Sequence, residues 1–581
     1  MTQIIRVGGD LPDNSTSTSL DRFHLEQHKD LVSLLKDVHV NERTLQEWTP
    51  VTDCLEWELS RLYWETEGVL PFVENDVPFI INNSGTLSEK MAVLFYTYCK
   101  EVKPQGRIQI LELGAGTGLH ALYFLNTFKR ICEQEQVDYY DRLTYYVSDG
   151  SLRSVFQWRE RKQFEAHEGA VVAGVVDALN PAVLTTVAGE EQPLGGLQAV
   201  FCNYLLDVLP ATLLRFNKGV AEKLYVRSHL PADDYQIKQY TGMTLAQIQA
   251  CVTSDDPLEK KKLLTLLPII ELETRYQSSD EAIPYLEQAL EFAGDLDRVL
   301  HNYGAIDCLQ RCGQTLADNG IVMINDYGPT QREDIARHTS VQRFGSSSAQ
   351  GINFPFIEFM SKELGFFVEA PQEDDARSIH TRLLRKTPLH QTSAALENRF
   401  GSQADAYFEE PLTRARAHAA AGRKNEALAS YRDVLGRYTG DWFVLAETAE
   451  FLSGQLHEYE ASLAIAREAL ALNPWYSVWL WNVMGDCLFG LERFNEAHEA
   501  YLQAHSLHAD DVRTNLNLAY TYYQNGRFDD ALQAVTTALA MDRAGHYRDK
   551  LLEKQQQVLS AITSKWICEQ ERLMQRAERL G

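Results

Sequence analysis

The chain is short of basic charge. It carries 55 Lys and Arg against 81 Asp and Glu, a formal net charge of −26. No Lys/Arg-rich stretch of five to eight residues offsets this, so phosphate backbones are repelled and no nucleic acid is expected as a partner. Long apolar runs are also missing: none approaches the ~18 residues that cross a bilayer as a helix, and no membrane association is expected. The opening residues, MTQIIRVGGDLPDNSTSTSLDR, have no basic start and no apolar stretch. They lack the pattern of a secretory or transit signal, so a cytoplasmic chain is expected. Cysteine is sparse, with nine scattered residues and no C-x-x-C. Cys308 and Cys312 are four apart but have no nearby His or Cys to complete a site. The sequence therefore predicts free, mostly buried thiols and no metal.

What is present is ordinary globular composition: 45% hydrophobic and 23% charged residues over 581 positions, enough for two to four domains. The C-terminal part repeats. GRKNEALASYRDVL from Gly422, HEYEASLAIAREAL from His457, ERFNEAHEAYLQAH from Glu492 and GRFDDALQAVTTAL from Gly526 align, with a small residue at Ala427, Ser462, Ala497 and Ala531. The spacing is 35, 35 and 34 residues. An aromatic precedes the small residue by three positions at Tyr459, Phe494 and Phe528. Small residues let two helices cross closely, and the aromatic fills the space beside the crossing. This resembles the tetratricopeptide repeat, a helix–turn–helix unit of 34 residues. The resemblance implies an all-α solenoid over 403–581, ending in a capping helix with a polar outer face. It also implies a groove for a protein or peptide, lined on consensus phasing by Trp479, Asn482, Asp486, Arg513, Asn517, Tyr520 and Tyr523. A homodimer is a further assembly such repeats could build.

The first 390 residues read differently. Residues 1–69 look helical. Between 107 and 203, strand-like runs alternate with helical patterns, which predicts a parallel sheet. The predicted strands are 107–113, 143–149, 170–176, 198–204 and 320–326, with a closing antiparallel pair at 365–370 and 381–386. The charged stretch 228–315 reads as a mostly helical insertion, and 388–404 as a polar linker.

The sharpest motif is ILELGAGTGLHALYFL, 110–125. Glycines at 114, 116 and 118 follow an apolar strand and precede an apolar helix. They permit positive φ and let backbone approach a ligand closely. A dinucleotide loop would need glycine at 119, which is leucine here. Glu112, two residues before the first glycine, adds an acid. Asp149 follows the second strand and Asp177 the third. Acids at these strand ends converge on the crevice where open α/β sheets bind ligands.

The G-x-G-x-G pattern with Glu112 resembles motif I of class I S-adenosylmethionine-dependent methyltransferases. AVFCNYLLDVLPA, 199–211, is similar to the N-E-F-x-D-A-L-P signature of the MidA family, which includes a mitochondrial complex I assembly factor that methylates a protein arginine. Asn203, Asp207, Leu209 and Pro210 match; Tyr204 stands where the family has glutamate. INDYG, 324–328, resembles the family's I-D-Y-G, and FIINNSGTLSEKMAVLF, 79–95, the segment that helps cover the cofactor. Thr86 and Glu89 also fit a capping box. The resemblance spans about 70–390. It implies a Rossmann-like, seven-stranded, mostly parallel α/β sheet that binds S-adenosylmethionine. Glu112, Gly114, Ala115, Gly116, Gly118, Asp149, Asp177 and Asn203 would hold the cofactor. Asn203, Tyr204, Asp207, Asp326 and Tyr327 would surround the acceptor, with His338 as a further base candidate. The expected activity is methylation of a protein or peptide side chain. Loss of the glutamate to Tyr204 weakens guanidinium as the acceptor and leaves two alternatives: a non-catalytic scaffold and a small-molecule methyltransferase.

Overall fold

The computed structural model describes residues 43–73, 85–217, 220–278, 281–335, 342–344, 347–374, 377–437, 440–542 and 545–580. His338 and the start of the 79–95 segment lie outside the described residues.

The central sheet is built on strands β1 (Ile108–Leu113), β2 (Leu143–Asp149), β3 (Val171–Val175), β4 (Leu197–Asn203), β5 (Leu316–Asp326), β6 (Phe367–Glu369) and β7 (His380–Arg385). Their order across the sheet is β6-β7-β5-β4-β1-β2-β3. Strands β5, β4, β1, β2 and β3 pair in parallel, while β7 runs antiparallel to β5 and β6. Two short strands, Val183–Thr185 and Glu191–Pro193, extend the β3 edge, so among the described residues the sheet has nine strands where seven were expected. Strands β1, β2 and β4 are buried over nearly their whole length because both faces are covered. Side chains alternate cleanly between two cores. Leu111, Val200, Val322 and Leu384 enter one, and Ile110, Phe201, Met323 and Leu383 the other. Helices α1 (Gly85–Val102) and α2 (Leu119–Glu135) close the second core.

Three expectations need correction. The N-terminal region is not wholly helical, because Thr44–Pro50 is a strand. The insertion 228–315 carries helices at Asp234–Thr241, Leu245–Val252, Leu286–Ala293 and Tyr303–Thr315, but it also holds two strands, Glu271–Ser278 and Arg298–His301, that the sequence did not suggest. Thr44–Pro50, Thr212–Asn217, Val220–His229, Glu271–Ser278 and Arg298–His301 form a second, antiparallel sheet. Its two longest strands are dense in charge on one face, while Leu224, Val226 and Tyr276 share the other. Much of that charge is matched across the ladder. Arg227 sits opposite Glu273 and donates to it at 2.6 Å, and Arg215 does the same to Glu222 at 2.7 Å. The expected linker 388–404 contains a packed helix, α3 (His390–Phe400). It buries Thr392, Leu396 and Phe400 and packs on α1.

From Ser402 the chain is helical pairs: Ser402–Ala420 with Lys424–Arg437, Trp442–Phe451 with Tyr459–Leu472, Val478–Gly490 with Phe494–Leu507, and Val512–Gln524 with Phe528–Met541. The repeated small residues Ala427, Ser462, Ala497 and Ala531 are fully buried. At Gly485 a side chain is excluded, since a Cβ there would meet Tyr501 at 2.2 Å. Helix α4 (Arg548–Leu580) ends the array. The array packs directly on the sheet domain. Val69, Leu119 and Tyr123 share one apolar cluster with Trp442, Leu445, Leu470 and Tyr476.

Candidate active site

At the carboxyl end of β1 the backbone turns through Gly114, Gly116 and Gly118, with φ of +65°, +55° and +70°. A Cβ on Gly114 would meet the Leu205 side chain at 3.0 Å, and one on Gly118 would meet Gln163 at 3.0 Å. The loop is therefore held in a left-handed path that glycine alone adopts without cost. Side chains tie it down from behind. Trp158 Nε1 donates to Gly116 O at 3.0 Å and Gln163 Nε2 to Thr117 O at 2.8 Å. Ala115 N donates to Ser148 O at 2.8 Å, and Ala115 is buried.

The three strand-end acids have different surroundings. Glu112 is fully buried; it accepts from Tyr145 at 2.9 Å and lies 3.1 Å from His120 Nδ1. Its carboxylate braces the strand and helix beneath the loop. Asp149 accepts Gly116 N at 2.9 Å on one oxygen and Ser151 N at 2.8 Å on the other. Desolvation outweighs these bonds and raises its carboxyl to about 6. Asp177 is exposed and accepts Leu179 N at 2.9 Å in a turn.

The ends of β4 and β5 meet beside the loop. Asn203 Oδ1 accepts from Asn325 Nδ2 at 2.8 Å, and Asn325 Oδ1 accepts from Thr381 at 2.7 Å. Asn203 Nδ2 is buried and has no hydrogen-bond partner. Tyr204 holds φ of +48°, a strained backbone for a tyrosine, and its ring centroid is 6.2 Å from that of Tyr327. No helix follows: Leu206–Val208 is a single 3-10 turn before the Thr212–Asn217 strand. Asp207 thus reaches the crevice through a tight turn, not along a helix face. It is buried, with Oδ1 unpartnered, and burial raises its carboxyl to about 6. Asp326, also buried, accepts Leu206 N at 3.0 Å and Tyr327 N at 2.9 Å. Desolvation and the nearby Asp207 push it further above the usual carboxylate range. Two neighbouring buried acids resist ionising together.

Residues the sequence did not point to complete the site. Gln350 N donates to Asp207 O at 3.2 Å, while its buried side-chain amide has no partner on either atom. Gly328 allows this approach. Its φ is +150°, and a Cβ there would lie 2.0 Å from Ile352 O. Gln163, Trp158 and Gln350 stand outside the motifs they support, and no local pattern marks them; Asn325 lies within INDYG, beside Asp326. The expected capping box at Thr86 is replaced by a contact to the repeats. Thr86 N and Oγ1 lie 3.4 and 3.3 Å from Asp441 Oδ2. Among the described residues no group of three or more His, Cys, Asp and Glu could hold a metal. No described helix is long and apolar enough to cross a membrane.

On the repeats, the expected groove residues are largely engaged with one another. Asn482 is buried and bonds Thr514 at 2.7 Å and Asn517 at 3.0 Å. Arg513 bridges Glu450 at 2.8 Å and Asp486 at 2.7 Å. Trp479 packs on Phe443, while Tyr520 and Tyr523 flank the Lys554 ammonium at 4.0 and 4.3 Å.

Residues 91–358 match the family model described as "Putative S-adenosyl-L-methionine-dependent methyltransferase", and residues 488–553 match the tetratricopeptide repeat model. Over these two stretches the chain is similar to that methyltransferase family, whose cofactor is S-adenosylmethionine, and to tetratricopeptide repeats. No curated protein matches the chain. Among solved structures, a Burkholderia thailandensis protein bound to S-adenosyl-homocysteine is similar at 12% identity and a TM-score of 0.38, covering 64% of this chain and 95% of that one. MamA from Desulfovibrio magneticus RS-1 is similar at 15% identity and a TM-score of 0.23, covering 29% of this chain and 97% of that one.

Proposed function

We propose that this chain transfers a methyl group from S-adenosylmethionine to a protein or peptide side chain brought to the site by the repeats. The reading treats 70–390 as a Rossmann-like, MidA-like catalytic domain and 403–581 as the recognition domain. One observation carries it: the glycine loop, Asn203 and the Asp207–Asp326 pair converge at the carboxyl ends of β1, β4 and β5. The residues suit the cofactor. The left-handed loop leaves backbone unshielded by side chains, and Asn203 Nδ2 is a buried donor in want of an acceptor.

When bound, the cofactor supplies a sulfonium-activated methyl group. The loop 114–118 and Asn203 would hold its amino-acid end. Asp149 would accept from the ribose with its remaining lone pairs, and Asp177 would stand at the adenine. Glu112 acts one layer back, by bracing His120 and Tyr145. Asp207 takes a proton from the acceptor nitrogen or oxygen. A carboxyl poised near 6 is mostly ionised at neutrality yet more basic than an ordinary carboxylate, which suits a general base. Asp326, held neutral more strongly, orients the 205–208 turn through Leu206 N. Tyr204 and Tyr327 wall the acceptor side, and Gln350 gives it an amide that can both donate and accept. The test is methyl-label transfer from S-adenosylmethionine into cell-lysate protein by the full chain. Asp207→Asn should reduce it at least tenfold while cofactor binding persists. Binding without label in any acceptor would favour the scaffold reading, for which the loss of the family's glutamate to Tyr204 is the supporting feature.

A further inference from the structure

Helix α4 has two unlike halves. Leu551, Lys554 and Val558 are buried against the last repeat. From Thr563 to Arg579 every residue is exposed except Gln570, which is half-buried, so about 25 Å of helix stands off the solenoid. This free end is not polar. Trp566 and Leu573 continue a seven-residue spacing set by exposed Leu552 and Leu559 in the packed half, and Ile567 and Met574 lie beside them. Trp566 is 62%, Leu573 54% and Met574 66% exposed. A helix packed on its own chain follows a 3.6-residue period; a strict seven-residue repeat matches a second helix wound against it. The flanks are suited to another copy of the same segment. Between Lys565 and Arg579 there are four bases and three acids, close to neutral in a chain of net charge −26. General repulsion therefore does not act at this end.

We propose that two copies of this chain pair through the free end of α4 as an antiparallel two-helix coiled coil. In one register the two strands complement each other on every count. Trp566 faces the partner's Ala577, and Leu573 faces the partner's Gln570, so large side chains meet smaller ones. Ile567 lies beside the partner's Met574. Glu569 falls opposite the partner's Arg576, and by the two-fold the pairing occurs twice. Parallel pairing loses this match, because Glu569 then faces the partner's Met574.

The experiment is sedimentation velocity of the full chain across micromolar concentrations. The expected result is a concentration-dependent species of twice the single-chain mass. Leu573→Glu, at an exposed position that leaves the fold intact, should shift the midpoint at least tenfold toward monomer. Glu569→Arg should weaken pairing, and Glu569→Arg with Arg576→Glu should restore it. A monomer at every concentration overturns the proposal, including one whose α4 instead sediments with phosphatidylserine vesicles. So does a dimer indifferent to Leu573→Glu, or a double charge exchange that restores nothing.

Discussion

Gln163 joins the glycine loop to the repeats, and replacing it should show whether the two halves act as one cooperative unit. Its Nε2 donates to Thr117 O at 2.8 Å and its Oε1 accepts from the Tyr476 hydroxyl at 2.6 Å. All three groups are buried. Gln163→Leu keeps most of the volume and removes both bonds. A buried polar group left without its partner costs about 1–3 kcal/mol, so two such groups set a range of about 2–6 kcal/mol. The lower half is expected, because the Arg161 guanidinium stacks 4.5 Å over the Tyr476 ring and remains near its hydroxyl. Tyr476→Phe alone orphans Gln163 Oε1 and should cost about 1–3 kcal/mol. The double variant has no orphaned hydroxyl and should be more stable than the sum of the single losses by about 1 kcal/mol or more. Urea unfolding of the full chain, followed by tryptophan fluorescence, gives the cycle. Additivity within about 0.5 kcal/mol would refute the coupling. A separate, unshifted transition for the repeats would refute it as well.

Other outcomes follow from the same geometry. The raised carboxyl of Asp207 means the folded state holds its proton more tightly than the unfolded chain. Stability is therefore fullest below pH 4 and is lost as pH rises toward 6, by about 3 kcal/mol at roughly 1.4 kcal/mol per unit. Asp207→Asn should lessen the loss over that interval in unfolding curves, leaving the share due to Asp149, and the activity of the unaltered chain should rise through pH 6. Gly328→Ala places a Cβ 2.0 Å from Ile352 O, so the soluble yield or the melting temperature should fall sharply. Asp441→Ala removes the cap on Phe443 N, a 3.0 Å bond, along with the Thr86 contact. It should lower unfolding stability by about 1–2 kcal/mol.

The features readable in the sequence were those whose cause is local. The glycines of 114–118 mark a left-handed turn wherever they occur, and an uninterrupted run such as ILEL means a strand covered on both faces. The repeats were readable because the small-residue positions recur at fixed spacing. The second sheet was hidden because ELETRYQS and VAEKLYVRSH are rich in charge that is matched across the ladder on one face, and the buried face of the latter shows only Leu224 and Val226 as apolar residues. The same reason explains the candidate site. Asn203 and Asp207 lie in a motif, but Gln350 gains its place only through Gly328 and the 349–353 segment, more than a hundred residues away. Asp149 is expected at the cofactor, and both its oxygens already hold backbone N–H groups. Contacts of this kind exist only after the strands have assembled.

The central claim is that the crevice at 112–118, 149 and 203–207 binds S-adenosylmethionine for methyl transfer. Isothermal titration of the full chain with S-adenosylhomocysteine tests it most directly, with Asp149→Ala as the paired variant. The expected result is one saturable site per chain, weakened at least tenfold by the substitution. No heat from the unaltered chain, or equal binding by the variant, would contradict the account.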